Sequence, residues 1–76
     1  MEKYEFFNCE NGIVLIGNIE LDLSDLINEM IYKKTTNKPL IFTLDEKHDF
    51  YLGYFAISGV NDNITSCNGE GYILEK

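Results

Sequence analysis

A chain of 76 residues and 8.8 kDa fits one small domain, residues 1–76, and is too short for a two-domain enzyme. Its 45% hydrophobic and 25% charged residues are typical of a globular protein rather than a disordered one. Thirteen acidic against six basic residues give a net charge of -7, which argues against nucleic acid or an anionic membrane as a direct partner.

The N-terminal residues, MEKYEFFNCENG, contain no long apolar run, so a secretory signal is not expected. The longest uninterrupted apolar stretch is residues 13–16, far shorter than the ~20 residues that cross a bilayer. We therefore expect a cytoplasmic protein. In that reducing compartment Cys9 and Cys67, each alone in its segment, are expected to be free thiols.

The first predicted element is a hairpin. Asn11-Gly12 is the preferred pair for a two-residue type I′ turn and predicts strands at residues 3–10 and 13–21. This turn places Cys9 opposite Val14 and, farther along, Lys3 opposite Glu20 as a cross-strand pair of opposite charge.

The predicted strand at residues 13–21 has two different faces. One face carries apolar side chains on both sides of Gly17 and is expected to face the core: Ile13, Leu15, Ile19 and Leu21. The other face is half apolar and half polar and is expected to be less buried: Val14, Ile16, Asn18 and Glu20.

A helix is predicted for residues 23–35, with Asp22 as its N-cap and Pro39 beyond its end. Lys33 and Lys34 near the C-terminus complement the helix dipole. The apolar face follows helical spacing: Leu23, Leu26, Ile27, Met30 and Ile31.

Four further strands are predicted after the helix, with a loop at 59–63 and a second type I′ turn at Asn68-Gly69. The resulting fold class is α+β, a single antiparallel sheet of five to six strands in ββαββββ order with one amphipathic helix on one face. The predicted strand ranges are 40–45, 50–58, 64–67 and 72–75.

More apolar surface is predicted than one helix can cover. Several strands are apolar on both faces, whereas an antiparallel sheet with one wet face alternates apolar and polar residues. Three explanations are open: the sheet curls, a partner docks on it, or two copies pack sheet to sheet. The small size of the domain favours the third, and we expect a homodimer interface that includes Phe7, Val14 and Ile16.

The only histidine, His48, lies in the polar segment between Asp45 and Asp49. Catalysis by a histidine needs an orienting carboxylate and a pocket, and a zinc site needs three or four ligands. We expect a solvated hairpin turn here instead. The sequence therefore predicts no catalytic residue, no metal and no cofactor, and a protein that is not an enzyme.

The predicted binding surface is acidic. Carboxylates are concentrated on the first hairpin and the start of the helix, and together with one tyrosine they form the expected site for a partner protein with a basic surface. Three further tyrosines, Tyr51, Tyr54 and Tyr72, are of the type that anchors interfaces. The residues of the expected site are Glu20, Asp22, Asp25, Glu29 and Tyr32.

The function predicted from these features is a small acidic inhibitor that acts by protein–protein binding. The amino acids encoded by AT-rich codons are abundant, which suggests a phage or mobile element of a low-GC bacterium. The expected role is an anti-CRISPR or anti-restriction protein whose acidic face acts as a nucleic-acid mimic in the groove of a defence nuclease. Two alternatives stay open: an immunity protein or antitoxin that caps a toxin, and a structural or regulatory homodimer.

Overall fold

Six antiparallel strands and one helix form the fold in the computed structural model, which describes residues 3–60 and 63–76, and the side chains of 3–59 and 66–76. The strand order in the sheet is β3-β2-β1-β6-β5-β4, so the helix connects the two edge strands. The α+β class with one antiparallel sheet and one helix is confirmed. In chain order the elements are β1 (Lys3–Glu10), β2 (Ile13–Ile16), β3 (Ile19–Asp22), α1 (Leu23–Thr35), β4 (Ile41–Thr43), β5 (His48–Val60) and β6 (Asn63–Glu75).

The first hairpin is confirmed at its turn and is shorter than expected. Asn11 and Gly12 adopt φ values of 55° and 80°, as a type I′ turn requires, and Cys9 lies opposite Val14. The second strand ends at Ile16, because Gly17, with a φ of 61°, starts a second two-residue turn that reverses the chain. The predicted pairing of Lys3 with Glu20 is therefore wrong, and Lys3 lies opposite Ile73 of β6.

The second turn also reverses the expected faces of β2. Val14 and Ile16 are buried, whereas Ile13 and Leu15 are 41% and 49% exposed. Because the turn leaves cross-strand partners on the same face, the half-buried side chains of β3 pack on the same core. The partners on the core face are Val14 with Leu21 and Ile16 with Ile19.

The helix has the predicted bounds and the predicted N-cap. The Asp22 carboxylate accepts a hydrogen bond from the Ser24 backbone N–H at 2.8 Å. The Leu23 N–H donates to the Gly12 carbonyl at 2.9 Å, which ties the helix start to the first hairpin turn. Leu23 and Leu26 are buried, and Ile31, expected on the apolar face, is 58% exposed.

The second half of the chain departs most from the expected pattern. Residues 63–75 form one continuous strand, so the turn predicted at Asn68-Gly69 is wrong. The expected loop at 59–63 is shorter, because β5 extends to Val60 and β6 begins at Asn63, while residues 61 and 62 lie outside the described residues.

Gly69 and Gly71 make space for two aromatic rings on the core face of β6. A Cβ at Gly71 would meet the Tyr51 carbonyl oxygen and would lie 2.7 Å from Cζ of Phe50. A Cβ at Gly69 would likewise meet the Phe7 ring. The glycines that suggest a turn in the sequence are thus required by close packing in the middle of the sheet.

The core lies between α1 and one face of the sheet. Phe7, Val14 and Ile16, expected to contact a second copy, are at most 2% exposed in the single chain. That expectation is corrected: these side chains point toward the helix and offer no surface to a partner. The buried core consists of Phe7, Cys9, Val14, Ile16, Leu23, Leu26, Phe42, Leu44, Phe50, Leu52 and Cys67.

Cys9 and Cys67 form a disulfide, contrary to the expectation of free thiols. They are direct partners in the pairing of β1 with β6, with Cα atoms 4.9 Å apart. That distance lies within the range that a disulfide requires, and antiparallel pairing provides it although the two residues are 58 apart in sequence.

Replacing Gly71 by alanine is expected to lower the free energy of unfolding by about 1–3 kcal/mol, because the added methyl group overpacks the site under Phe50. Denaturant unfolding of the two proteins measures the difference. The matched control is Gly53→Ala, whose added Cβ would come no closer than 3.4 Å to its neighbours. Equal effects of the two substitutions would contradict the packing argument.

Loss of the Cys9–Cys67 disulfide is expected to lower the stability by about 4 kcal/mol, since the bond closes a long loop in the unfolded chain. Thermal unfolding of the oxidised protein, with and without reductant, measures this. The Cys9→Ala/Cys67→Ala variant is the control, and its stability should not respond to reductant. An identical melting temperature for the oxidised and reduced wild type would refute the prediction.

Candidate functional site on the outer face of the sheet

One face of the sheet is not covered by the helix, and we call it the outer face. It carries the side chains that alternate with the core residues along each strand. Many of these are large apolar or aromatic groups that are 41–71% exposed. The exposed members of the outer face are Tyr4, Phe6, Ile13, Leu15, Tyr51, Tyr54 and Tyr72.

The aromatic side chains of the outer face contact one another around Glu70. The ring centroids of Tyr4 and Phe6 are 5.2 Å apart, and those of Tyr4 and Tyr72 are 5.0 Å apart, both in edge-to-face geometry. Glu70 lies between Phe6 of β1 and Tyr54 of β5 in the strand register. A carboxylate is therefore held at the centre of an exposed aromatic cluster.

The Tyr4 hydroxyl donates a hydrogen bond to the Glu70 carboxylate. This bond, together with partial desolvation and the nearby negative charge, raises the pKa of Tyr4 to about 12. The Tyr4 hydroxyl is thus linked to the Glu70 carboxylate across the pairing of β1 with β6.

The charged residues on the strands of the outer face are acidic. Glu10 and Glu20 lie on this face next to Ile13 and Leu15, and among the described strand positions of the face none is a lysine. Lys76, just after β6, pairs with Asp49 at 3.6 Å at one end of the sheet.

Three of the other lysines, Lys33, Lys34 and Lys38, lie at the end of the helix or just after it. Lys33 pairs with Glu29 at 3.4 Å, and Lys38 lies over the Tyr32 ring with Nζ 4.9 Å from the centroid. Segregation of charge thus gives the outer face a negative potential.

The five residues predicted from the sequence to bind a partner are distributed over β3, the helix start and one flank of α1. All are exposed, and Glu20 lies on the outer face of edge strand β3. Asp22 caps the helix, while Asp25, Glu29 and Tyr32 share one flank of α1. The Tyr32 hydroxyl contacts Lys38 Nζ at 3.1 Å, so that end of the flank is not acidic.

Tyr51, Tyr54 and Tyr72, identified in the sequence as interface-type residues, share the outer face. Tyr4, Phe6 and Glu70 were missed. Their signal is the alternation of Tyr4 and Phe6 with the buried Phe7 and Cys9, which places the first two on the opposite side of β1. The same alternation does not reveal Glu70, because the sequence predicts a turn rather than a strand at residues 68–71.

A second candidate site, which is a cleft, lies at one end of the core. A cleft of about 450 Å³ is bounded by apolar side chains of β2, β3 and β6 and by charged groups at its rim. At the rim, His48 Nδ1 lies 3.0 Å from an Asp45 carboxylate oxygen. The lining residues are Lys3, Glu5, Ile16, Gly17, Asn18, Ile19, Asp45, His48 and Ile73.

The Asp45–His48 pair closes the β4–β5 turn. The Asp45 carboxylate accepts the backbone N–H groups of Lys47 and His48 at 2.8 Å and 2.7 Å. These bonds, the Lys47 N–H foremost, and the nearby imidazole lower the pKa of Asp45. The lining of the cleft brings no hydroxyl or thiol to the imidazole, so its geometry matches a turn better than an acyl-transfer site.

Replacing Glu70 by glutamine is expected to return the pKa of Tyr4 from about 12 toward 10, because the carboxylate that accepts its proton is removed. Tyrosinate absorbance during an alkaline titration of the folded protein measures this. The raised pKa contributes stability below pH ~10 that is lost as the pH rises through ~12.

Tyr4→Phe should remove the late transition altogether, and Glu46→Gln, in the distant turn, should leave it in place. A late transition that survives Tyr4→Phe would show that another tyrosine is responsible. Circular dichroism at each pH verifies that the protein is still folded.

No helix in the described part of the chain is long and apolar enough to cross a membrane. Within the same residues, no group of three or more His, Cys, Asp or Glu side chains could hold a metal ion. Comparison with family models, with curated proteins and with solved structures finds no match to this chain. The outer face is therefore judged on its own chemistry.

Proposed function

We propose that this protein is a non-enzymatic inhibitor that binds another protein through its outer face. The partner surface is a cationic groove that otherwise holds nucleic acid. The proposal rests on one observation: an uncovered sheet face on which exposed aromatic rings surround Glu70 and no described strand position is a lysine.

The side chains of the outer face suit arginine-rich partners. Tyrosine and phenylalanine rings attract a guanidinium group over their faces, an interaction of about 0.5–2 kcal/mol. A carboxylate next to such a ring accepts charge-assisted hydrogen bonds from the same guanidinium. Glu70 beside Phe6 and Tyr54 combines both groups. Aromatic anchors of this kind carry most of the affinity in protein interfaces.

The net charge of -7 supports a partner that normally binds nucleic acid. Negative charge on this protein is attracted over long range to a basic groove, which raises the association rate at low salt. Glu20 lies on the outer face at edge strand β3, and Asp25 and Glu29 lie on the helix flank, so all three add to this attraction without being central contacts.

The narrower form of the proposal is a phage or mobile-element protein that blocks a bacterial defence nuclease. A second candidate is an immunity protein that caps a nuclease toxin, since the same acidic and aromatic face would fit a toxin with a basic active-site groove. The two differ in the partner and share the contact surface.

Inhibition of purified nucleases tests the proposal. A panel of RNA-guided nucleases, restriction nucleases and nuclease toxins from low-GC bacteria is assayed for DNA or RNA cleavage with increasing amounts of the protein. At least one enzyme should lose both nucleic-acid binding and cleavage, and the inhibition should weaken as salt is raised. If no enzyme of the three classes is inhibited, the proposal is overturned.

Variants on two surfaces then locate the contact. Phe6→Ala and Tyr54→Ala should each raise the half-inhibitory concentration by about tenfold or more, as expected for anchor residues. The matched charge variants on the helix flank, Asp25→Asn and Glu29→Gln, should have a smaller effect that disappears at high salt. Inhibition that depends on the flank and not on the outer face would exclude the proposed surface.

A further inference from the structure

Strand β5 has an open edge along its second half. Strand β4 pairs with β5 only over Asp49–Tyr51, and the last bond across that edge runs from the Leu52 N–H to the Leu40 carbonyl at 2.9 Å. Strand β5 continues to Val60 and pairs with β6 on its other side throughout. Beyond Leu52, none of the strands in the described part of the chain pairs with this edge.

The strand register identifies which backbone groups face the open edge. In an antiparallel ladder, successive residues direct their N–H and C=O groups alternately to the two sides of the strand. Leu52 directs its N–H toward β4, and the register shift between Leu52 and Tyr54 changes the alternation by one residue. Phe55 and Ile57 therefore present their backbone groups to the open edge, while Ala56 between them bonds to β6.

Strand β5 itself carries no charged residue along the open edge, although Lys34 of α1 lines a cleft with Gly53, Tyr54 and Phe55 at the start of that edge. Natural edge strands usually carry lysine, proline or an inward-pointing charge that prevents pairing with another chain. Residues 50–61 contain neither a charged residue nor a proline. The side chains of Tyr54 and Ile57 along this edge are 56% and 52% exposed. The backbone groups of Phe55 and Ile57 and the exposed side chains of Tyr54 and Ile57 are available to an added strand.

A second copy of this chain is the occupant that the uncharged strand favours, because the charges and prolines missing from it are those that keep natural edge strands from pairing with each other. Two molecules with a net charge of -7 repel each other, so a contact between them is least opposed where the surface is uncharged. Antiparallel pairing of an edge with itself is also self-complementary under a two-fold axis. With the axis at Ala56, Phe55 lies opposite Ile57 of the second copy, and both residues face the partner with their backbone groups.

We propose that the open edge of β5 at Phe55 and Ile57 pairs with the same edge of a second copy and forms one continuous antiparallel sheet across the dimer. The pairing leaves the outer faces of the two copies side by side, with Tyr54 next to the junction. This inference goes beyond the proposed function and does not depend on the identity of the inhibited protein.

Sedimentation equilibrium of the wild type and of two Ile57 variants tests the pairing. The wild type should double in mass as its concentration rises. Ile57→Pro removes the N–H that faces the open edge and leaves the ladder with β6 intact, so it should stay monomeric. Ile57→Lys places a charge on the edge and should do the same if the proline variant fails to fold. The matched control, Ile57→Val, keeps the N–H and should dimerise like the wild type.

Hydrogen exchange gives an independent measurement. The amides of Phe55 and Ile57 should be protected at high protein concentration and exchange quickly in dilute solution, whereas the Ala56 amide should be protected in both. A wild type that stays monomeric at every concentration would overturn the proposal, even if it bound an extended peptide at this edge. A dimer that survives Ile57→Pro and Ile57→Lys, or that is disrupted by Phe6→Glu on the outer face instead, would also overturn it.

Discussion

The close approach of two phenylalanine rings to the backbone of β6 is the constraint on which the rest of the structure depends. Phe7 and Phe50 lie over Gly69 and Gly71 in positions that a side chain on either glycine would occupy. Their rings meet edge to face with centroids 5.6 Å apart. The two rings fill the space over the paired strands β1, β6 and β5, and the 13-residue helix covers the rest of the core.

Covering the core with one helix leaves the other face of the sheet exposed to solvent. A sheet of six strands can bury one face against such a helix, and the second face must be polar, partnered or both. In this protein the second face combines aromatic rings with carboxylates. That combination is compatible with water in the free state and with a cationic surface in a complex, which links the architecture to the proposed function.

Local signals in the sequence predicted several elements correctly, because the residues that determine them are neighbours. Asn11-Gly12 adopts the left-handed backbone of a type I′ turn, and Asp22 caps a helix that begins at the next residue. At Gly17-Asn18 the local signal of a two-residue turn is present and correct, but the prediction passed over it. At Asn68-Gly69 the signal failed, because long-range packing overrides the preference for a turn. The turn at Gly17 places Ile19 and Leu21 on the same face as Val14 and Ile16, and that face is the one that packs in the core.

The sequence by itself determined the α+β class, the helix with both its ends, the excess of apolar strand residues and the net negative charge. Only the tertiary structure decided which apolar residues are covered, which partners Cys9 and Cys67 have, and that Glu70 lies among Tyr4, Phe6 and Tyr54. The reason is physical. Turns and caps depend on residues a few positions apart, whereas the assignment of a side chain to one face or the other depends on the pairing of strands that are distant in the chain.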